Sequence, residues 1–314
     1  MSGKVCVFGA FNVDVVARLS RFPRPGESLI ANGSLMGAGG KGANQALAAA
    51  RAGAKVHYIG KIGTDSFAEF ARNHLYNSEI DVCTLFESKE KPTGNALIYV
   101  SDELGENMIG VDPGANLTIT DQEVDSCLPA IKSADLLLIQ MENNADAIVR
   151  LLQHAHENKV FVILNPAPFQ VIPDQYLALA DLLTPNSTEA QLLTGVEVND
   201  LESATTAASV LHAKGIKNVL ITLGLQGALL STPTGKKHIP AYKANPVDTT
   251  GAGDAFNGAL AACLSLGEQM EDAALFASAF ASVSVERVGA AQSIPTRQEA
   301  ITRMQKYASL VVTS

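Results

Sequence analysis

Thiols are scarce in this chain of 314 residues, which contains four cysteines. Cys6, Cys83, Cys127 and Cys263 form no CxxC pair, and no cluster of histidines accompanies them. This spacing argues against a zinc site and favours small buried thiols in a reducing compartment. We therefore expect a cytoplasmic location.

Charge and long apolar runs are also scarce. Charged residues make up 18% of the chain, the formal net charge is −9, and no run of five like charges occurs. Proteins that bind nucleic acid normally present a basic face, so the sequence predicts no nucleic-acid partner. No apolar run reaches the ~18 residues of a membrane helix. Val5–Phe8 is too short for the apolar core of a signal peptide, so we expect no membrane partner.

A regular alternation of two kinds of segment runs through the chain. The predicted strands, which are short and rich in β-branched residues, are Val5–Phe8, Val56–Ile59, Leu97–Val100, Leu136–Ile139, Val160–Leu164, Leu182–Thr184, Val219–Leu223 and Ala228–Ser231. The predicted helices are Ala43–Ala52, Ser66–Ser78, Asp121–Lys132, Ala145–Asn158, Ser187–Leu193, Glu202–Lys214, Ala252–Leu266, Met270–Glu286 and Thr296–Ala308. Several strands are apolar throughout, so we expect an α/β fold: a mainly parallel sheet with helices on both faces.

Two stretches depart from this alternation. Val13–Met36 carries turn signals at Phe22–Glu27, and Lys91–Val111 resembles a hairpin with Gly105 at its turn. Neither contains a convincing helix. The pattern predicts a small β accessory layer beside the main domain, with ordinary surface hairpins as the alternative.

The first glycine-rich loop, Gly37–Asn44, precedes a predicted helix. It satisfies GxGxxG, but it does not follow the first strong strand, and the next strand lacks the acid that would bind a ribose hydroxyl in a dinucleotide fold. It also fails the P-loop pattern, because Lys41 is followed by Gly42 rather than Ser or Thr. The loop therefore suits close approach of a small polar ligand to backbone N–H groups beside one lysine, unless its glycines serve only tight packing.

The second glycine-rich loop, Asp248–Asp254, opens the predicted helix Ala252–Leu266. Gly251–Gly253 expose consecutive N–H groups at a helix N-terminus, which favours an anion. Asp254 lies in the first helical turn, where the simplest role of a carboxylate is to stabilise the helix. A carboxylate beside an anion site is also what phosphoryl transfer to a hydroxyl requires.

Polar residues follow three other predicted strands. Asn12 and Asp14 follow the first strand and Glu142 follows Leu136–Ile139, so all three are candidates for binding hydroxyl groups at the carboxyl edge of the sheet. Asx turns and exposed loop carboxylates are the alternatives. Thr222 and Gly224 end the strand Val219–Leu223, where the glycine either admits a nucleotide or simply lets the chain turn.

Asn186 and Glu189 have the spacing of a helix cap and its capping-box glutamate. The same pair could also position Mg²⁺ through water, because Mg²⁺ keeps several of its waters when it is bound by proteins. The two roles are compatible.

These motifs together resemble the ribokinase family of carbohydrate kinases over nearly the whole chain. They occur in the family's order as GxxNxD (Gly9, Asn12 and Asp14), the first signature (Gly39–Ala46), NxxE (Asn186 and Glu189) and a complete DTxGAGD (Asp248–Asp254). The resemblance implies one α/β domain over residues 1–314 with a discontinuous β lid formed by about 13–36 and 91–111. It also implies a homodimer that pairs through the lid.

The resemblance also implies roles for individual residues. Asp254 would be the catalytic base and would also contact the sugar, and Gly251, Ala252 and Gly253 would form the anion hole. The implied sugar-binding residues are Asn12, Asp14, Gly40, Lys41, Asn44 and Glu142. The implied nucleotide-binding residues are Asn186, Thr222, Gly224, Gly227, Gly253 and Ser278. The implied K⁺ site consists of Asp248, Thr250, Ser284, Arg287, Gly289 and Ser293, and Mg²⁺ would accompany ATP beside Asn186 and Glu189.

The expected function is therefore ATP-dependent phosphorylation of the 5-hydroxyl of D-ribose. The alternatives within the family are kinases acting on 2-deoxyribose, fructose or a nucleoside. The alternative from another class is a sugar or nucleotide sensor without catalysis, whose signature would be loss of the base. Asp254 is present, which favours the enzyme.

Overall fold

The computed structural model describes residues 3–312, and it describes side chains through residue 308. The strands in this part of the chain are β1 (Lys4–Phe8), β2 (Asn12–Leu19), β3 (Gly33–Gly39), β4 (Lys55–Ile62), β5 (Val82–Glu87), β6 (Asn95–Ser101), β7 (Asn107–Asp112), β8 (Leu136–Gln140), β9 (Phe161–Asn165), β10 (Leu182–Leu183), β11 (Val219–Thr222), β12 (Ala228–Thr232) and β13 (Gly235–Ile239).

The helices over the same residues are α1 (Lys41–Arg51), α2 (Ser66–Tyr76), α3 (Asp121–Ser126), α4 (Leu128–Ser133), α5 (Ala145–Glu157), α6 (Asp174–Leu177), α7 (Ser187–Thr194), α8 (Leu201–Ala213), α9 (Ala252–Ser265), α10 (Met270–Ser284) and α11 (Arg297–Val312). Short 3₁₀ turns lie at Gly114–Thr118, Gly224–Gln226 and Ala291–Ser293. Between residues 3 and 312, no helix is both long enough and apolar enough to cross a bilayer.

The main sheet has nine strands in the order β13-β12-β11-β10-β9-β8-β1-β4-β5, and all neighbours from β11 to β5 are parallel. In β1, Val5 and Val7 pack with α1, α2 and α9–α11, while Cys6 and Phe8 pack with α3–α8 on the other face. Burial on both faces explains why the central strands are continuously apolar. The predicted fold class is confirmed.

A second sheet of four strands has the order β3-β2-β6-β7. Its strands occupy the two stretches where the sequence predicted a β accessory layer, and β2 joins it to β1 of the main sheet. Met36, Leu97, Tyr99 and Met108 share one of its faces by cross-strand register, and each is 45–56% exposed. Asp14 lies on the opposite face. We call the four exposed side chains the outer apolar face.

Parts of the predicted secondary structure are wrong, and the short helix α6 was not predicted. The predicted helix Asp121–Lys132 is two helices that meet at Cys127, because Pro129 lacks an N–H and its ring collides with the carbonyl four residues earlier. The prediction also lacks β5 and β13, the two edge strands of the main sheet. Edge strands are partly exposed and lose the continuous apolar signal, as the lysines of β13 show.

Helix α1 packs directly against α9, and one glycine permits this contact. A Cβ atom on Gly258 would lie 2.4 Å from the Gln45 carbonyl oxygen, 2.5 Å from the Ala48 Cβ and 2.8 Å from the Ala49 nitrogen. Because two of these atoms are backbone, a larger residue could be accommodated only by moving one helix away from the other.

Gly258→Ala should therefore lower the free energy of unfolding by about 1–3 kcal/mol, the usual effect of overpacking. Urea unfolding followed by circular dichroism measures this change. Gly33→Ala is the matched control, because a Cβ there meets no atom within 4 Å. Equal stability of the two variants would contradict the close contact.

Candidate active site

The candidate site lies at the carboxyl ends of the central strands, where the loops after β1 and β8 separate. Loops diverge here because the chain proceeds from β1 toward β4 on one side and from β8 toward β9 on the other. A cavity of about 210 Å³ opens at this edge. Its lining includes Lys41, Asn186, Glu189, Thr222, Gly251, Gly253 and Asp254. Residues from both glycine-rich loops and from NxxE therefore meet, although they are far apart in sequence.

Asp254 lies in the first turn of α9 and is only 6% exposed. Its Oδ2 accepts a hydrogen bond from the Asn44 side-chain amide at 3.1 Å, and its Oδ1 accepts one from the Gln45 side-chain amide at 3.0 Å. Both donors come from α1. The carboxylate is therefore fixed from one side while it lines the cavity on the other.

The N-terminus of α9 offers room for an anion beside Asp254. Gly251 has a φ of 76°, a left-handed conformation that favours glycine, and a Cβ on Gly253 would meet no atom within 4 Å. The Ala252 N–H donates to the Thr249 carbonyl at 3.2 Å. Of the three residues of the predicted anion hole, the two glycines are therefore the ones that line the cavity.

The predicted sugar-binding carboxylates, Asp14 and Glu142, are half-buried and close enough to influence each other, and neither lines the cavity. Burial raises the pKa of Glu142 to about 7, although the Lys41 charge and a 2.7 Å hydrogen bond from the Lys41 backbone N–H oppose this. Burial and the nearby Asp254 charge raise the pKa of Asp14 to about 6. In turn, Asp254 raises the pKa of the Lys41 ammonium, with a smaller contribution from Glu142. The carboxyl groups therefore disfavour one another's ionisation, and the Lys41 charge partly compensates.

Two glycines bring these groups together. A Cβ on Gly39 would lie 2.4 Å from the Asp14 carboxylate oxygens, and Gly40 has a φ of 88° with backbone atoms of Ala10, Phe11 and Asn12 within 3 Å of a Cβ position. The turn from β3 into α1 therefore passes directly over β2. This close passage is the structural reason for the glycine-rich pattern of the first signature.

The amide of Asn12 is held in one orientation. Its Oδ1 accepts from the Asn116 side-chain amide at 2.9 Å, and Asn116 also donates to the Phe11 carbonyl at 3.0 Å. The Asn12 Nδ2 is thus left as a donor for a ligand. Asn44 complements it with an acceptor, because its Oδ1 is buried and has no hydrogen-bond partner within residues 3–312.

On the nucleotide side, Asn186 and Glu189 form the predicted capping box of α7, with both hydrogen bonds at 2.8 Å. Both also line the cavity. Thr222 lies beside Asn186 at the end of β11. The Ser278 hydroxyl, by contrast, donates to the Pro240 carbonyl at 2.8 Å and lies outside the cavity lining.

Gly224 and Gly227 frame the turn between β11 and β12, with φ values of 57° and 86°. A Cβ on Gly227 would lie 2.1 Å from the Ile239 carbonyl oxygen, so its glycine is required by the fold itself. A Cβ on Gly224 would meet nothing within 4 Å. Gly224 therefore borders open space, which is compatible with its predicted place beside a nucleotide.

Asp248 links the two loops of the predicted cation site. Its Oδ1 accepts from the Thr250 N–H and its Oδ2 from the Gly289 N–H, both at 2.9 Å. Although burial raises its pKa, these hydrogen bonds outweigh burial and lower it. The other predicted members are mostly engaged within the fold: Ser284 and Ser293 donate to carbonyls of their own turns, and Arg287 pairs with Glu299. Asp248 is therefore a carboxylate held by backbone N–H groups of both loops.

Sequence reasoning missed a group of buried amides, two of which, Asn165 and Asn257, line the cavity. Gln45, Gln140, Asn165 and Asn257 are each at most 6% exposed, and they form hydrogen bonds to one another or to site residues. A signal was present, because Gln140 and Asn165 each end an otherwise apolar strand. Within the described residues, no cluster of three or more His, Cys, Asp or Glu side chains could hold a metal directly.

This arrangement suits transfer of a phosphoryl group to a hydroxyl of a small polar molecule. Such a reaction needs a carboxylate beside the acceptor oxygen and N–H donors for the transferring group, and both lie in one cavity here. The class defined by the fold and the site is therefore a phosphotransferase. The chain belongs to the pfkB family of carbohydrate kinases, whose sequence profile matches residues 2–297.

Similarity to individual relatives extends over nearly the whole chain. A ribokinase of Haemophilus influenzae is 41% identical over 301 residues, which cover 96% of this chain and 98% of that protein. A deoxyribokinase of Salmonella typhi is 33% identical over 307 residues, 98% of this chain and 99% of that one. The structure of Arabidopsis thaliana ribokinase complexed with ribose and ATP matches with a TM-score of 0.88 at 30% identity, covering 96% of this chain and 99% of that one.

The two raised carboxyl pKa values predict that sugar binding weakens in acid. Below about pH 7 Glu142 takes up a proton, and below about pH 6 Asp14 does the same, so both lose acceptor strength for hydroxyl groups. We expect the dissociation constant of the sugar to increase about 10-fold from pH 8 to pH 5.5. Isothermal titration calorimetry across this range measures it.

Glu142→Gln is the control, because its amide does not titrate and the remaining pH dependence should follow Asp14 alone. ATP binding, measured in parallel, should change less. A sugar affinity that stays constant from pH 8 to pH 5.5 would show that the two carboxylates do not bind the sugar.

Proposed function

We propose that this chain transfers the γ-phosphate of ATP to the 5-hydroxyl of D-ribose. The observation that carries the proposal is the position of Asp254, a buried carboxylate fixed by two amides beside the open N-terminus of α9. The 41% identity to a ribokinase supports ribose as the sugar. The Asn12 amide nitrogen and the unpartnered Asn44 Oδ1 are a donor and an acceptor suited to hydroxyl groups.

In the proposed reaction the sugar hydroxyl oxygen attacks the γ-phosphorus, and the bond from this phosphorus to the β–γ bridging oxygen breaks. Asp254 accepts the hydroxyl proton late, in a loose transition state where positioning and electrostatics dominate. The N–H groups of Gly251 and Gly253 stabilise charge on the transferring group. Lys41 reduces the repulsion between the incoming phosphates and the anionic site.

The residues present fit both ions that the family implies. Asn186 and Glu189 line the cavity and would hold Mg²⁺ through water, and the ion would neutralise phosphate charge when ATP is bound. Asp248 would hold K⁺ together with backbone carbonyls of the Thr250 and Gly289 loops. Because Asp248 joins these loops beside Gly251, a bound cation would stiffen the loop that carries the anion hole.

We also propose that the small sheet is a lid over a single α/β domain, formed by about residues 13–36 and 91–111. Asp14 lies on one face of this sheet, so that face is directed to the sugar site. The outer apolar face lies on the opposite side of the small sheet. Its exposed side chains suit burial against the same surface of a second copy. A lid-mediated homodimer and a cytoplasmic location stay predictions.

A kinase for 2-deoxyribose is the strongest competing function, supported by 33% identity to a deoxyribokinase. A site that hydrogen-bonds the 2-hydroxyl discriminates strongly against a sugar that lacks it. A sensor without catalysis is disfavoured, because the buried Asp254 and both glycine-rich loops are intact.

Substrate choice and cation dependence are testable in one assay. ADP release should be fastest with D-ribose, by at least about 10-fold in kcat/KM over 2-deoxyribose, fructose and adenosine. K⁺ should raise the rate over an equal concentration of tetramethylammonium chloride. Comparable turnover on another acceptor would reject ribose as the substrate, and an absent K⁺ response would reject the cation site.

The role of Asp254 is tested by Asp254→Asn, which keeps the shape of the side chain and removes the base. We expect kcat to fall about 10²- to 10⁴-fold while ATP binding is retained. Asp272→Asn, on the exposed surface of α10, is the control for general effects of losing a carboxylate. Near-normal turnover of Asp254→Asn would rule out Asp254 as the base.

A further inference from the structure

We propose that Gln45 is a positioning residue that orients the Asp254 carboxylate through a directed chain of buried amides. The inference rests on the proposed role of Asp254 as the base. Gln45 is fully buried and does not line the cavity, so its effect on the reaction must pass through another residue.

Every polar group of the Gln45 side chain is engaged. Its Nε2 lies 3.0 Å from Asp254 Oδ1 and 3.0 Å from Asn165 Oδ1. Its Oε1 accepts a hydrogen bond of 2.7 Å from the side-chain amide of Gln140. The two N–H bonds and the acceptor of this amide are thus used at once, which leaves one orientation for it.

A backbone carbonyl determines the direction of the chain. Asn165 contacts the Thr184 carbonyl oxygen at 2.9 Å, and a carbonyl can only accept, so Asn165 must present its Nδ2 there. Its Oδ1 therefore faces Gln45, and Gln45 must donate to it from its Nε2. That nitrogen also faces Asp254, so the Asp254 carboxylate always meets a donor.

The two donors on Asp254 differ in their exposure to ligands. Asn44 binds Oδ2, but Asn44 is also a candidate sugar-binding residue with an acceptor left open. Gln45 binds Oδ1 from the protein interior. Together they prevent rotation of the carboxylate about its Cβ–Cγ bond, and Gln45 continues to do so when a ligand engages Asn44. A base restrained in this way keeps its oxygen aligned with the acceptor hydroxyl.

The test is Gln45→Met, which keeps the length of the side chain and removes its donors. Because a hydrogen bond to a charged group is lost, we expect kcat to fall about 10- to 100-fold. The KM values for ATP and sugar should stay within about threefold, since Gln45 lies outside the cavity lining. A kcat within threefold of the parent enzyme would overturn the proposal.

A double-mutant cycle separates positioning from a purely structural role. If Gln45 acts through Asp254, Gln45→Met should change the residual kcat of Asp254→Asn by less than about threefold. An equal fold loss in both backgrounds would overturn the proposal. Leu47→Ala, a buried position on the same helix, controls for loss of stability: it should lower Tm without lowering kcat of the folded fraction.

Gln140→Met is a second variant in case Gln45→Met does not fold. It removes the donor to Gln45 Oε1 and with it only one hydrogen bond, since Gln140 Oε1 has no partner within the described residues. We expect a smaller loss of kcat, about 3- to 10-fold, and an unchanged kcat would count against the chain of amides. If Asp254→Asn is inactive and Gln45→Met has normal activity, only the positioning role of Gln45 is rejected. If Asp254→Asn is active, the role of Asp254 as the base is rejected.

Discussion

The contact between α1 and α9 is the constraint on which the site depends. Gly258 brings the two helix backbones together, and this proximity lets the Asn44 and Gln45 amides reach Asp254. The same two helices carry the two glycine-rich loops at their N-termini. Their packing therefore fixes the distance between the proposed sugar loop and the proposed anion hole. Alanine-rich faces on both helices serve this purpose, because small side chains are the ones that allow close approach.

The site also shows how buried charge is arranged for binding. Asp14, Glu142 and Asp254 lie close enough to influence one another, and burial disfavours ionisation of the first two. Lys41 offsets part of this charge from the N-terminus of α1. A polyhydroxylated ligand would satisfy such carboxylates with neutral O–H donors, and a phosphate would meet N–H groups and the lysine instead. The carboxylates and the N–H groups thus favour different proposed substrates.

Much of this arrangement could be predicted from sequence, because it is encoded locally. Continuous apolar strands indicated the buried sheet, and the glycines of the two loops indicated close approach of ligands to backbone. The amide chain could not be predicted, since Gln45 is 95 residues from Gln140 and 120 residues from Asn165, and they meet only in the folded protein. The break at Cys127 and the edge strands β5 and β13 were missed for a different reason. There a proline or a half-exposed strand obscures the periodic signal.

Strand β2 has a consequence for motion. It begins at Asn12, shortly after β1 of the main sheet, and continues through Asp14 into the small sheet. Any movement of the small sheet therefore displaces Asp14, a proposed sugar-binding residue, together with the rest of the proposed lid. The conformation in which the sugar site is complete and the conformation in which it is covered are then the same state. Sugar affinity and closure become a single equilibrium, so a ligand that engages Asp14 favours closure by the same free energy with which closure favours the ligand.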